Sequence, residues 1–134
     1  MKKKVLIVED DKVTQELISF KFKREGFEVQ TADNGWDALE FVNREKVDLI
    51  VSDIMMPHIS GLSLLSLINR FYYANIPVIM ISSLDKDEVV MSAMGLGAND
   101  FLRKPLNFSV LVKRIKKLLN IKGDENKDAK KSKK

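Results

Sequence analysis

Residues 4–11 read Lys-Val-Leu-Ile-Val-Glu-Asp-Asp, a short apolar run that ends abruptly in three acids. A second run of the same kind, Leu-Ile-Val at residues 49–51, is followed two residues later by Asp53. Strands with continuous rather than alternating apolar side chains are typical of parallel sheets, which are buried on both faces. The two segments therefore predict central strands of a parallel sheet whose ends carry acidic groups.

Short apolar runs alternate five times with segments whose apolar residues recur at helical spacing. The predicted strands are Val5–Val8, Glu28–Ala32, Asp48–Ser52, Pro77–Ser82 and Asn99–Leu102. Leu17 and Phe20 mark the first helix, and residues 33–35 and Gly95–Gly97 predict turns that need positive φ. Because parallel strands need crossover helices, five such units predict an α/β domain with a five-stranded parallel sheet.

Length and charge indicate one domain with a lysine-rich end. The chain has 134 residues and no cysteine, which excludes disulfides and thiolate metal sites. Six of its 23 basic residues and three of its 19 acidic residues lie in residues 122–134, so the body is nearly neutral. We expect a domain over residues 1–121 and a disordered tail over 122–134, without specific binding of nucleic acid.

The N-terminus has the positive charge of a signal peptide but not its apolar core. Met1 is followed by three lysines, and the apolar run after them stops at Val8. No stretch approaches the roughly 18 apolar residues that a membrane span requires. The sequence therefore predicts a cytoplasmic protein without membrane contact.

Polar residues follow the predicted strands where each strand ends. They are Glu9, Asp10 and Asp11 after the first, Asp53 after the third, Ser82 at the end of the fourth and Lys104 after the fifth. Ligand sites of open α/β sheets form at the carboxyl ends of the strands. If the first, third, fourth and fifth strands are neighbours, these side chains share one small volume.

Coulomb's law indicates that such a cluster needs compensation. Two carboxylates about 5 Å apart repel by roughly 3 kcal/mol at an effective dielectric of about 20, and three such pairs cost on the order of 10 kcal/mol. A cation or altered protonation is therefore expected. Carboxylate ligands in a site open to phosphate favour Mg²⁺, with Mn²⁺ as a substitute. The alternative, helix capping by Asp10 or Asp11, accounts for one acid and leaves Glu9 and Asp53 unexplained.

Four motifs in order resemble the receiver domains of response regulators, the CheY-like family of two-component signal transduction. They are V-L-I-V-E-D-D (residues 5–11), D-L-I-V-S-D-I-M-M-P-H-I-S-G (48–61), P-V-I-M-I-S-S (77–83) and G-A-N-D-F-L-R-K-P (97–105). The resemblance extends over residues 4–120. It implies a flavodoxin-like, doubly wound (βα)5 fold with the strand order 2-1-3-4-5 that is known for this family.

The resemblance also implies roles for the polar residues. Asp53 is then the phosphoacceptor, and Mg²⁺ is bound by Glu9, Asp10, Asp53 and the backbone carbonyl of Met55. Ser82 and Lys104 correspond to the residues that contact the phosphoryl group. Phe101 occupies the aromatic switch position, and Pro105 corresponds to a proline that usually follows a cis peptide bond.

The implied activity is signalling rather than enzymatic turnover, limited to self-phosphorylation and slow autodephosphorylation. The phosphodonor is expected to be a histidine kinase or a phosphotransfer protein, because the one histidine of the chain, His58, lies in a loop. Output is expected through the fourth helix, fifth strand and fifth helix, toward a partner protein or a second copy. Met55 and Leu84 occupy the two variable positions beside the acceptor, and their apolar side chains predict slow loss of the phosphoryl group.

Four alternative functions fit the sequence less well. A phosphatase of the haloacid-dehalogenase type needs an acid at the position of Met55. A flavodoxin-like cofactor site needs a phosphate-binding loop in place of Glu9, Asp10 and Asp11. A DNA-binding regulator needs an output domain that residues 121–134 are too few to form, so this function requires the chain to be part of a longer protein. A degenerate scaffold would not keep the complete set of site residues.

Overall fold

The computed structural model describes residues 2–71, 75–84 and 86–121. Strands and helices alternate as β1 (Lys4–Val8), α1 (Lys12–Arg24), β2 (Glu28–Ala32), α2 (Gly35–Arg44), β3 (Leu49–Asp53), α3 (Gly61–Phe71), β4 (Val78–Ser82), α4 (Asp87–Gly95), β5 (Asp100–Arg103) and α5 (Phe108–Leu118). The strands predicted from the sequence agree with these bounds to within one residue. The predicted tail, residues 122–134, lies outside the described residues, and the domain boundary at residue 121 stays a prediction.

The five strands form one parallel sheet in the order β2-β1-β3-β4-β5. The α/β class, the flavodoxin-like topology and the strand order implied by the family resemblance are confirmed. This order places β1, β3, β4 and β5 side by side, so their carboxyl ends share one edge of the sheet.

Two hydrophobic clusters cover the two faces of the sheet. Alternate strand residues point to opposite faces, so Val5 and Ile7 pack with Phe22 of α1 and Ile115 of α5. Leu6 and Val8 pack on the other face with buried residues of α2, α3 and α4, namely Ala38, Leu39, Phe41, Leu64, Leu65, Ile68 and Ala93. The apolar runs at residues 5–8 and 49–51 are therefore buried on both sides, as a doubly wound sheet requires.

Two local predictions differ from the structure. Helix α1 forms as predicted, but Leu17 and Phe20 are 45% and 56% exposed, and the residues that α1 buries include Ile18 and Phe22. The interpretation of residues 33–35 as a turn with positive φ is wrong: Asn34 is instead the N-cap of α2 and accepts a hydrogen bond from the Asp37 amide at 2.9 Å. A capping side chain satisfies a free amide of the first helical turn, and Asn suits that position as well as it suits turns.

Within the described ranges, no helix has the length and apolar character needed to cross a membrane.

Candidate functional site

The adjacent ends of β1 and β3 bring three carboxylates together. Glu9 and Asp10 follow β1, Asp53 ends β3, and one carboxylate oxygen of each lies within 4.8 Å of the others. Glu9 and Asp53 are 1% and 5% exposed, whereas Asp10 is exposed to solvent. The cluster thus has two buried acids and one that faces the solvent at its rim.

Lys104 brings a positive charge into this cluster from the end of β5. Its Nζ lies 2.8 Å from Glu9 Oε1 and 2.9 Å from Asp53 Oδ2. Its backbone amide donates to the carbonyl of Ser82 at 2.8 Å, which holds the backbone of Lys104 beside the end of β4. These attractive contacts at hydrogen-bonding distance offset part of the expected repulsion among the carboxylates.

Burial and hydrogen bonding shift the pKa values of Glu9 and Lys104 in opposite directions. Burial raises the pKa of Glu9 above its ordinary value, and the hydrogen bond from Lys104 only partly counters it. Burial lowers the pKa of Lys104, but its hydrogen bonds to Glu9 and Asp53 outweigh this effect, so the pKa lies above its ordinary value. The ammonium therefore stays charged at neutral pH while Glu9 holds its charge less firmly than a solvated glutamate.

Backbone amides complete the surroundings of the two buried acids. The Met55 amide donates to Asp53 Oδ1 at 3.3 Å, and the Asp11 amide donates to Glu9 Oε2 at 3.2 Å. The Asp11 side chain caps α1 by accepting from the Thr14 amide at 2.9 Å. Capping is thus the role of Asp11, and it leaves Glu9, Asp10 and Asp53 for the cluster.

The remaining predicted site residues lie at this edge of the sheet, except Phe101, which is two residues before the end of β5. Ser82 is fully buried at the end of β4, and its hydroxyl oxygen accepts from the Leu84 amide at 3.0 Å. Phe101 on β5 is half-buried and packs against the cluster beneath α2, α3 and α4. The Lys104–Pro105 peptide bond is cis. Met55 lies beside Asp53 with 59% of its surface exposed.

Two residues near the site were missing from the sequence predictions. Gln15 is buried on α1, and its amide nitrogen contacts the carbonyl oxygen of Glu9 at 2.8 Å. Gly61, at the start of α3, packs so closely that a Cβ there would clash with the carbonyl oxygen of Asp53 and with Ile54. The sequence shows a glutamine within the predicted first helix, but it does not show that this position is on the buried side of α1. The role of Gln15 therefore could not be predicted before the packed face of α1 was known.

The donor set of the cluster suits a hard divalent cation. Carboxylate oxygens within 4.8 Å of one another are close enough to share one ion, and oxygen ligands at an open edge are those that Mg²⁺ uses while it retains waters. With Glu9, Asp10 and Asp53 ionised, the Lys104 ammonium leaves two negative charges uncompensated. The residues present therefore fit a Mg²⁺ site.

Comparison with known proteins defines the class. Residues 5–116 match the family model of the response regulator receiver domain. The chain therefore belongs to the response-regulator receiver family, the signalling domains of two-component systems, which interact with histidine kinases and downstream effectors.

Individual relatives support this assignment. The chain is 40% identical over 116 residues to a transcriptional regulatory protein CpxR homolog of Haemophilus influenzae, covering 87% of this chain and 50% of that protein. It resembles the receiver domain of Francisella response regulator 1452 (35% identity, TM-score 0.84, 88% and 97% of the two chains). It also resembles the Vibrio cholerae chemotaxis protein CheY4 (28% identity, TM-score 0.84, 89% and 100%). The chain spans about half the length of the curated relatives it matches.

Proposed function

We propose that Asp53 accepts a phosphoryl group from a histidine kinase or a phosphotransfer protein in a Mg²⁺-dependent reaction. One observation carries the proposal: the Asp53 carboxylate ends a central strand, contacts the Lys104 ammonium at 2.9 Å and shares a cation-sized cluster with Glu9 and Asp10. A carboxylate in this setting is a nucleophile surrounded by the charges that phosphoryl transfer requires.

In the proposed step an oxygen of Asp53 attacks the phosphorus of a phosphohistidine. A P–O bond forms, the N–P bond breaks, and the histidine nitrogen leaves with the electron pair of that bond. The product is an acyl phosphate on Asp53, in which a phosphoryl group carrying roughly 1.5 to 2 negative charges replaces the single charge of the carboxylate, so the site gains up to about one negative charge. Hydrolysis later returns the carboxylate and releases inorganic phosphate.

The neighbouring residues have proposed roles in this step. Glu9, Asp10, Asp53 and the backbone carbonyl of Met55 are the proposed ligands of Mg²⁺, which when bound neutralises charge on the phosphoryl oxygens. Lys104 contacts the two buried acids, and in the product its ammonium pairs with a phosphoryl oxygen. The Ser82 hydroxyl, at the end of the neighbouring strand, donates a hydrogen bond to another.

The signal leaves through α4, β5 and α5 in this proposal. Ser82 and Lys104 move toward the phosphoryl group when it is added to Asp53. The chain between these two residues contains α4 and Phe101, so in this proposal the packing of Phe101 differs between the phosphorylated and the unphosphorylated protein. The receiving surface belongs to a partner protein or a second copy of the chain. A cytoplasmic location and the absence of specific nucleic-acid binding by this chain stay predictions.

The test is labelling with acetyl phosphate or phosphoramidate in Mg²⁺, followed by intact-mass spectrometry. Wild type should gain one phosphoryl group per chain, and Asp53→Asn should gain none, because an amide is a poor nucleophile. Asp48→Asn is the matched control, since Asp48 precedes the same strand at its opposite end. One-to-one labelling of Asp53→Asn at the wild-type rate would disprove the assignment.

A further inference from the structure

Gln15 is a buried polar residue on α1 with no part in the proposed reaction. It is 5% exposed, and its Nε2 lies 2.8 Å from the carbonyl oxygen of Glu9 and 2.9 Å from Asp33 Oδ1. These two acceptors use both N–H bonds of the amide. The carbonyl oxygen of Ala32 lies farther away, at 3.5 Å.

The acceptors of Gln15 belong to the ends of two neighbouring strands. Glu9 follows β1, whereas Ala32 ends β2 and Asp33 follows it. The Glu9 amide donates to the Ala32 carbonyl at 3.1 Å, so the strands are already joined there. Gln15 connects this junction to α1, and its two hydrogen bonds restrict movement of the helix relative to the strand ends.

The contact with Glu9 has a direct geometric consequence for the acidic cluster. The carbonyl of Glu9 belongs to the planar peptide group that joins Glu9 to Asp10. A donor that holds this oxygen fixes the orientation of the peptide plane. It thereby sets the directions in which the Glu9 and Asp10 side chains leave the backbone.

The contact with Asp33 holds the other end of the amide in place. Asp33 also pairs with Lys12 Nζ at 2.7 Å. The hydrogen bond from Gln15 and then that from Lys12 hold the pKa of Asp33 below its ordinary value. Because Lys12 and Gln15 are both on α1, Asp33 binds two side chains of that helix and fixes it against the end of β2.

We propose that Gln15 is a positioning residue of the cation site: its amide fixes the Glu9–Asp10 peptide plane against Asp33 and thereby sets the affinity for Mg²⁺. The inference rests on the proposed function, since it assumes that Glu9 and Asp10 bind the ion. Residues that orient metal ligands in this way commonly contribute ten- to hundredfold to metal affinity.

The test compares Mg²⁺ affinity by calorimetric titration of the full chain. Gln15→Met keeps the length of the side chain but removes both donors, and it should weaken Mg²⁺ binding roughly tenfold. Ser19→Ala is the matched control, because Ser19 is one turn farther along α1 and its hydroxyl is buried without a hydrogen-bond partner. If Gln15→Met does not fold, Gln15→Asn makes the same comparison with an amide one methylene shorter.

Hydrogen exchange of the metal-free protein gives a second readout. The Glu9 and Asp11 amides should exchange faster in Gln15→Met than in wild type and in Ser19→Ala. Wild-type protein that does not bind Mg²⁺ would disprove the proposed cation site. Wild-type protein that binds Mg²⁺, with Gln15→Met within twofold of its affinity, would overturn the role of Gln15 alone.

Discussion

At the scale of single residues, we expect the apolar side chains at the two positions flanking the acceptor, Met55 and Leu84, to determine how long a phosphoryl group stays on Asp53. Met55 is 59% exposed, and Leu84 is half-buried and held by its amide to Ser82 at 3.0 Å. An acyl phosphate is lost when water attacks in line, and a polar side chain that orients this water accelerates the loss. Neither Met nor Leu can orient water, so we expect a long-lived phosphorylated state.

The test is the decay of phosphorylated protein after removal of the donor. Met55→Asn combined with Leu84→Glu should speed hydrolysis about tenfold, less than the roughly hundredfold that full general-base catalysis supplies. Val13→Asn makes a similar apolar-to-polar change at a residue that is 74% exposed on α1, and it should leave the rate unchanged. Equal decay of the double variant and wild type would remove these two positions as determinants of the lifetime.

The polar residues that form the site at the strand ends could be predicted from the sequence, because each of them follows or ends an apolar run. The contact between Lys104 and Glu9 was not, since the resemblance gave Lys104 only a role toward the phosphoryl group. The sequence predicts which groups share an edge, but not which of them pair without phosphate. That choice depends on distances of 2.8 and 2.9 Å, which the sheet register sets.

At the scale of elements, the expected output surface combines α4, β5 and α5. Phe101 lies on β5 opposite Met80 of β4, and it packs on the same face of the sheet as Val89 and Ala93 of α4. Met91 and Met94 expose 72% and 46% of their surface on α4. A change in the packing of Phe101 would therefore reach an apolar surface that a partner can contact.

Backbone amide shifts on addition of beryllofluoride and Mg²⁺ test this surface. Outside the acidic loops, the largest shifts are expected in α4, β5 and the first half of α5, and α2 serves as the internal reference. Phe101→Ala should reduce the shifts in α4 without reducing those next to Asp53, because it removes the packing contact and leaves the acceptor intact. Shifts confined to α1 and α2 would contradict the assignment.

The helices also mark the limit of prediction from periodicity. Helix α1 carries Val13, Leu17 and Phe20 on one side and Ile18 and Phe22 on another. Helical spacing fits both sets, and only the second set packs against β1, β3 and α5. Trp36 shows the same limit, since it lies in the first turn of α2 but is 56% exposed. Which face is buried depends on neighbours that are distant in the sequence.

At the scale of the whole molecule, the unbalanced charge of one site opposes the stability of the fold. The nearest carboxylate oxygens of the three acids lie within 4.8 Å of one another, and two unit charges at that limit repel by roughly 3.5 kcal/mol at a dielectric of about 20. Lys104 offsets part of this repulsion, but two negative charges remain when all three acids are ionised. The folded protein should therefore be stabilised by any cation that the cluster binds and the unfolded chain does not.

Mg²⁺ should consequently raise the melting temperature. At about ten times its dissociation constant, a ligand specific for the folded state adds about 1.4 kcal/mol to the free energy of unfolding, or roughly 5 °C for a domain of this size. KCl of equal ionic strength controls for general screening.

Asp10→Lys should raise the melting temperature without Mg²⁺ and remove the response to it, because the exposed ammonium offsets Glu9 and Asp53 while it remains solvated. Glu9→Lys should destabilise the protein instead, since it buries a second ammonium against Lys104. A melting temperature that Mg²⁺ leaves unchanged in wild type would contradict the cation site.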